Sequence, residues 1–254
     1  MHVVPLPALA DNYIWLLHDD EGNAVVVDPG EAAPVESALC ARKLTLRAVL
    51  LTHHHLDHIG GAARLRDDHR VPVYAPNDER IDIATHRVND GQTLRLEKPS
   101  AQWQVIAVPG HTLSHIVYVG EGVLLCGDTL FSLGCGRLFE GSPAQMLSSL
   151  QRIAALPGDT LVCCGHEYTA ANARFAQTVE PDNLALQQRA DEVARLRAEH
   201  RPSVPATLSS ELACNPFLRV DSAGVMDWCR RHGAANDPVA RFAALRSAKD
   251  AFGA

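Results

Sequence analysis

The sequence predicts an α/β body followed by a helical C-terminal piece, and three observations carry that reading. Up to about residue 166 the apolar residues fall in short runs rich in Val, Ile and Leu, each of strand length and bounded by Gly, Pro, Asp or Asn. Helical spacings lie between several of these runs. Beyond residue 169 the strand-like runs give way to apolar residues at helical spacing.

Taken in order, the expected strands are "NYIWLLH", "NAVVVD", "LRAVLLT", "VPVYA", "WQVIAV", "HIVYVG", "GVLLCG" and "TLVCCG". Helices are expected over 33–42, 59–67 and 144–155. "VNDGQTLRL" places an Asp-Gly turn between strand-like halves, which predicts a hairpin. In "PDNLALQQRADEVARLRAEH", Leu186, Ala190, Val193 and Leu196 recur at helical spacing, with Pro181 and Asp182 as start signals. Val239, Phe242, Leu245 and Ala248 keep the same period in a final helix over 237–251. The expected division is therefore an α/β body over 1–168 and a helical domain over 169–254.

Composition narrows the function classes. With 46% apolar and 21% charged residues, the chain has the profile of an ordinary globular protein. The net charge of −7 and the lack of any Lys/Arg run argue against nucleic acid as a partner. The opening "MHVVPLPALADNY" has no basic start and is broken by Pro5 and Pro7, so it makes a poor signal peptide. No apolar run approaches the roughly 18 residues a membrane span needs. Seven cysteines form no C-x-x-C pair and leave one over in any disulfide count. A reduced, cytoplasmic monomer is the expectation.

Chemistry concentrates in "THHHLDHIGG", where four histidines and an aspartate fall between His53 and His58. Four apolar runs end alike: "AVLLT" runs into His53, "VIAVPG" into His111, "VLLCG" into Asp128 and "LVCCG" into His166. Such repetition predicts that these ends lie along one edge of a sheet, where α/β proteins place their sites. In an extended segment residues i and i+2 point the same way, so His53 and His55 can grip one ion while His54 faces solvent or supports the site. Asp57 and His58 open the next helix and suit a second ion. Adding the strand-end donors assigns His53, His55 and His111 to the first metal and Asp57, His58 and His166 to the second. Asp128 is left to bridge, because a carboxylate has two oxygens to share. The set is N/O in character, suited to zinc but also to iron or manganese. A structural zinc site would favour cysteine ligands, so the expectation is an open catalytic pair with a bridging water or hydroxide. His115 is expected to support this site by hydrogen bonding, and His2, His18, His69, His86, His200 and His232 to be ordinary surface or core residues.

These motifs resemble those of the metallo-β-lactamase superfamily: "THHHLDH" fits T-H-x-H-x-D-H, and "PGHT", "GDTLF" and "GHEYT" follow in order. Within it the chain is most similar to the glyoxalase II (hydroxyacylglutathione hydrolase) family, through "ADNYIWLL", "VVDPGE", "GCGRLFEGS", "FAQTVEPDN", "NPFLR" and "LRSAKDAF". The resemblance implies an αββα sandwich with a C-terminal helical substrate-binding domain, and the ligand roles just assigned. Lactamases of this fold commonly carry cysteine where this chain has Asp128. The implied reaction is hydrolysis of S-D-lactoylglutathione, in methylglyoxal detoxification, by a metal-bridging hydroxide that Asp57 and Asp128 orient. The implied substrate contacts are Arg137, Tyr168, Arg246 and Lys249. An anionic glutathione thioester needs local cations on a chain of this charge. Arg137 stands where many relatives have lysine, and Phe139 where some have tyrosine, which would remove one hydroxyl contact. Two other readings compete: a mononuclear-iron persulfide dioxygenase of the same superfamily, and a non-catalytic metal-binding protein.

Overall fold

A computed structural model describes residues 1–252, and the chain divides into two compact units. The first takes in Met1–Ala107, Ser114–Gly127 and Cys163–His166. The second takes in Val108–Leu113, Asp128–Val162 and the chain from Glu167 onward.

The first unit holds two sheets. One has the order β1 (His2–Ala8), β2 (Asn12–His18), β3 (Asn23–Val27), β4 (Thr45–Leu50), β5 (Val73–Pro76) and β6 (His86–Val88). Its first three strands pair antiparallel and the rest parallel. All of β3, and all of β2 but His18, is buried, as expected of strands covered on both faces. The apolar faces of α1 (Ala33–Arg42) and α3 (Ala62–His69) supply Val35, Leu39, Ala62 and Leu65 to a core with Leu16, Val26, Val49 and Val73. The second sheet runs antiparallel through β7 (Thr93–Leu96), β8 (Ala101–Ala107), β9 (Ile116–Gly120) and β10 (Val123–Gly127), with Cys163 and Cys164 beyond β10. β8 alternates cleanly, with Ala101, Trp103 and Val105 buried and Gln102 and Gln104 exposed. Two buried donors tie the sheets together: Tyr118 Oη donates to the Leu51 carbonyl (3.0 Å) and Trp15 Nε1 to that of Cys164 (2.9 Å).

The second unit is mainly helical. A short hairpin, β11 (Leu130–Phe131) and β12 (Gly134–Cys135), precedes α4 (Pro143–Ala154). A Ser142/Gln145 capping box starts α4, and its Met146, Leu147, Leu150 and Ile153 are buried. Leu161 and Val162 of β13 (Leu161–Cys164) pair with β14 (Ala206–Thr207). The remaining helices are α5 (Thr169–Val179), α6 (Leu184–Ala198), α7 (Leu208–Cys214), α8 (Ala223–Arg231) and α9 (Pro238–Ala251). Phe175, Phe217, Trp228 and Phe242 pack edge-on and stacked at their centre. Among the described residues no helix is long and apolar enough to cross a membrane.

Several local expectations change. "VNDGQTLRL" makes no hairpin: β6 pairs with β5 in one sheet and β7 with β8 in the other. Asp90 still forms the turn, but its Oδ1 accepts from Ala107 N (2.7 Å), so the turn is a crossover between sheets. The helix expected over 59–67 is broken into α2 (Leu56–Ile59) and α3 by Gly60 and Gly61. A Cβ on Gly60 would meet the Gly30 carbonyl at 2.6 Å, and one on Gly61 the Glu31 backbone at 2.4 Å, so close backbone approach fixes the break. The ligand-bearing strand ends do not share one sheet edge either. β4 belongs to one sheet, β8, β10 and β13 to the other, because short apolar runs do not record which sheet they join.

Candidate metal centre

In the first unit the segment after β4 leaves the sheet under tight control. Thr52 N and Thr52 Oγ1 donate to the two oxygens of the buried Asp28 (2.8 and 2.6 Å). With its hydrogen committed to Asp28, the Thr52 hydroxyl accepts from His53 Nδ1 (3.0 Å), which turns His53 Nε2 toward His55 Nδ1, 3.2 Å away. His58 Nδ1 donates to the same Asp28 carboxylate (3.2 Å). One buried carboxylate therefore orients two imidazoles, one directly and one through a hydroxyl. His115, fully buried, stacks on His53 with ring centres 4.6 Å apart. His54 turns away, with Nδ1 3.6 Å from the buried Asp78 carboxylate.

Asp57, His58 and His166 form a second constellation of the first unit, their donor atoms all within 4.8 Å of one another. His58 Nε2 stands 3.4 Å, and His166 Nε2 3.5 Å, from Asp57 Oδ2. Asn12 Nδ2 donates to Asp57 Oδ2 (3.0 Å), and His166 Nδ1 donates to Asp11 (2.8 Å). A β-bridge between Asn12 and His166 and the bond from Tyr13 N to the Gly165 carbonyl (2.8 Å) bring these distant segments together. Asp28, His53 and His58 also lie within that spacing of one another. Asp28 already accepts from Thr52 N, Thr52 Oγ1 and His58 Nδ1, so it supports the cluster from behind.

The second unit brings His111 and Asp128 together, Nε2 to Oδ2 at 3.4 Å, with both residues buried. His111 Nδ1 donates to the Arg137 carbonyl (2.9 Å). Four histidines (His53, His58, His111 and His166) thus engage Nδ1 in support and turn Nε2 toward other donors. Two donors each about 2.1 Å from one ion at the tetrahedral angle stand about 3.4 Å apart. The 3.2–3.5 Å separations are long for hydrogen bonds but match the edges of a coordination shell. The donor chemistry and spacing fit divalent metal ions.

The residues expected to touch substrate all fall in the second unit, in unequal settings. The Arg137 side chain is mostly exposed, with Nε 3.2 Å from Asp250. Phe139 is also exposed, its ring edge-on to His111 at 5.2 Å. Tyr168 borders Phe131 with ring centres 5.2 Å apart. Lys249 Nζ lies over the Phe175 and Phe252 rings, and burial, followed by the nearby Arg246, Arg174 and Arg137, pulls its pKa down. Arg246 is buried instead: it donates to the Cys135 carbonyl (2.6 Å) and to Asp250 (3.0 Å) and lies over Phe217. Helical spacing puts Arg246 and Lys249 on one face, but it does not reveal which of the two the fold encloses.

Sequence reasoning misses Asp11, Asn12, Asp28 and Asp250. All four lie in stretches that carry the family resemblance, and Asp28 also stands out as a charged residue directly after the wholly apolar run "AVVV".

Comparison with known proteins agrees over nearly the whole chain. The family model for the metallo-beta-lactamase superfamily matches residues 10–166, and that for the hydroxyacylglutathione hydrolase C-terminus matches 167–252. A hydroxyacylglutathione hydrolase of Xanthomonas campestris pv. campestris (strain B100) is 51% identical over 255 residues, covering 99% of each chain. One of Aliivibrio salmonicida (strain LFI1238) is 50% identical over 248 residues, covering 97% of this chain and 98% of its own. Among solved structures, ETHE1 from Myxococcus xanthus superposes with a TM-score of 0.67 at 25% identity, covering 99% of each chain. The BLEG-1 B3 metallo-beta-lactamase superposes with a TM-score of 0.65 at 26% identity, covering 86% of this chain and 99% of its own. By its length of match and by its His/Asp cluster, the chain belongs to the hydroxyacylglutathione hydrolase family of the metallo-β-lactamase superfamily.

Proposed function

We propose that this chain is a metal-dependent thioesterase that hydrolyses S-D-lactoylglutathione, and related 2-hydroxyacylglutathiones, to the free hydroxy acid and glutathione, in methylglyoxal detoxification. The observation that carries hydrolysis is the Asp57–His58–His166 donor set, with both imidazoles backed by carboxylates. The glutathione half of the reading rests on the full-length likeness to relatives named for that activity.

His53, His55 and His111 would hold one ion and Asp57, His58 and His166 the other, with Asp128 shared between them. Zinc suits this N/O set best, and iron or manganese would also fit. When bound, divalent ions lower the pKa of coordinated water from about 15.7 toward about 7 and polarise a carbonyl oxygen. The chain's own groups supply the rest. Asp57, steadied by Asn12, orients the attacking water. The water oxygen adds to the thioester carbonyl carbon, its proton passes to solvent, and the C–S bond breaks. Glutathione leaves as a thiolate, and since a free thiol has a pKa near about 8.5 no strong general acid is needed. Lys249 and the exposed Arg137 offer charge to the carboxylates of glutathione. Residues 1–168 would carry the chemistry, and 169–254, together with Arg137, the recognition of glutathione. All seven cysteines are free and six are buried, which fits a cytoplasmic protein, and a monomer suffices for this chemistry.

The test is metal content by mass spectrometry together with thiol release from lactoylglutathione, on one purified sample. Two ions per chain and stoichiometric thiol release are expected. Bound metal without thiol release would overturn the reading.

A further inference from the structure

The hairpin between Asp128 and Arg137 is not held by its own ladder. Its strands have two residues each, pairing Leu130 with Cys135 and Phe131 with Gly134. Side chains from the C-terminal helices take up the groups this leaves. Asn215, which ends α7, donates through Nδ2 to the Phe131 and Gly134 carbonyls (3.1 and 2.9 Å). Asn172 of α5 donates to the Ser132 carbonyl (3.0 Å), filling space that a Cβ on Gly134 would invade. Glu211 of α7 accepts from Leu133 N (2.8 Å), from Ser132 Oγ (2.6 Å) and from Asn215 Nδ2 (3.1 Å). Leu133 sits at φ 60°, a conformation that costs a residue with a branched side chain and needs an outside partner to hold it.

Glu211 and Asn215 are fully buried. A carboxylate removed from water is costly unless its acceptors are filled, and here two of the three donors come from the hairpin itself. What the clamp fixes is specific. Gly136 N returns to the Thr129 carbonyl (3.1 Å), directly after Asp128, and the next carbonyl, that of Arg137, accepts from His111 Nδ1. Moving the hairpin would move both Asp128 and the partner that orients His111.

We propose that Glu211 and Asn215 are positioning residues for the His111–Asp128 pair, so that the C-terminal helices template part of the metal site in addition to offering cations to substrate. The inference rests on the metal reading above, and its test needs no thioester. A control lies in the same unit: Glu180 is also buried, accepts from Arg219 (2.9 and 3.1 Å) and Ser222 (2.8 Å), and has no bond to the hairpin.

The full chain and its Glu211→Ala, Glu211→Gln, Asn215→Asp and Glu180→Ala variants are titrated with Zn²⁺ against a competing chelator, and amide exchange is followed over 128–137. Glu211→Gln keeps the oxygen that accepts from Leu133 and can donate to Ser132. Asn215→Asp turns a donor toward two carbonyls into an acceptor. Glu211→Ala and Asn215→Asp are expected to weaken the weaker-bound Zn²⁺ by about 10–100-fold and to speed exchange in the hairpin. Glu211→Gln should stay within about threefold of the parent, and Glu180→Ala should lower thermal stability without touching zinc affinity. Unchanged affinity in Asn215→Asp, or an equal loss in Glu180→Ala, overturns the proposal. If Glu211→Ala does not fold, Asn215→Asp and Glu211→Gln decide it. A parent chain that binds no Zn²⁺ would defeat the metal reading, whereas unchanged hairpin exchange in Asn215→Asp would defeat the clamp.

Discussion

The two units brace their metal-type donors in different ways. In the first, carboxylates stand behind the imidazoles: Asp28 behind His58 and, through Thr52, behind His53, and Asp11 behind His166. In the second, the loop from Asp128 to Arg137 is held through its backbone, and His111 rests on a carbonyl. A carboxylate partner raises the basicity of an imidazole as well as orienting it, whereas a carbonyl or amide mainly sets direction. The lesson is that donor strength is set in the first unit and donor placement in the second.

The most severe way to break this contrast is to remove a donor. Asp57→Ala is expected to lower kcat for lactoylglutathione by about 10³-fold or more and to reduce metal content from two ions per chain toward one. A variant with full metal content and near-normal turnover would remove Asp57 from the site.

The braces themselves come next. Asp28→Asn should weaken metal binding by about 10–100-fold in a chelator competition. Asp11→Asn should cost less, because the Asp11 side chain is 43% exposed and backs one imidazole, while Asp28 is buried and backs two. Equal effects would show that the exposed and enclosed braces are equivalent.

Substrate recognition sharpens the contrast from the side of the second unit. Lys249→Ala should raise KM for a glutathione thioester by about 10-fold, worth about 1.4 kcal/mol, with a smaller fall in kcat. Arg137→Ala should do less, since Asp250 already engages its exposed guanidinium. Equal losses with a small thioester lacking glutathione would show that these cations do not read glutathione.

The smallest expected effect is on stability. Arg80 holds the Asp78 carboxyl well below the usual carboxylate range, with help from Ser114 and against the opposite pull of burial. A depressed folded-state pKa contributes stability above the unfolded value of about 3.9, and that contribution fades as pH falls toward the folded value. Asp78→Asn should therefore lower stability by about 1–2 kcal/mol at pH 7 in denaturant unfolding, and the difference should start to shrink below about pH 4 and close only as pH falls toward the folded-state value. A difference that persists at low pH would point to lost packing instead.

Much of this molecule is local in origin. The positions of β2–β5, β8–β10, α1, α4, α6 and α9 follow from apolar spacing, and Asp237 caps Ala240 N at the start of α9. The crowding of donors into "THHHLDH" is likewise a property of a few consecutive residues. Burial of Arg246 was not legible, because helical spacing records which residues share a face and is silent about what that face meets.

By itself the sequence determined which residues can donate to a metal and where many of the strands and helices lie, since both depend on side-chain chemistry and short-range periodicity. Only the tertiary structure decided which sheet each strand joins, which carboxylate stands behind which imidazole, and which cation is enclosed. Those partners lie far apart in the chain: Asp11 is 155 residues from His166, and Glu211 is 78 from Leu133. Contacts at that range are selected by the collective burial of apolar surface and the pairing of every enclosed polar group, which no short window of sequence contains.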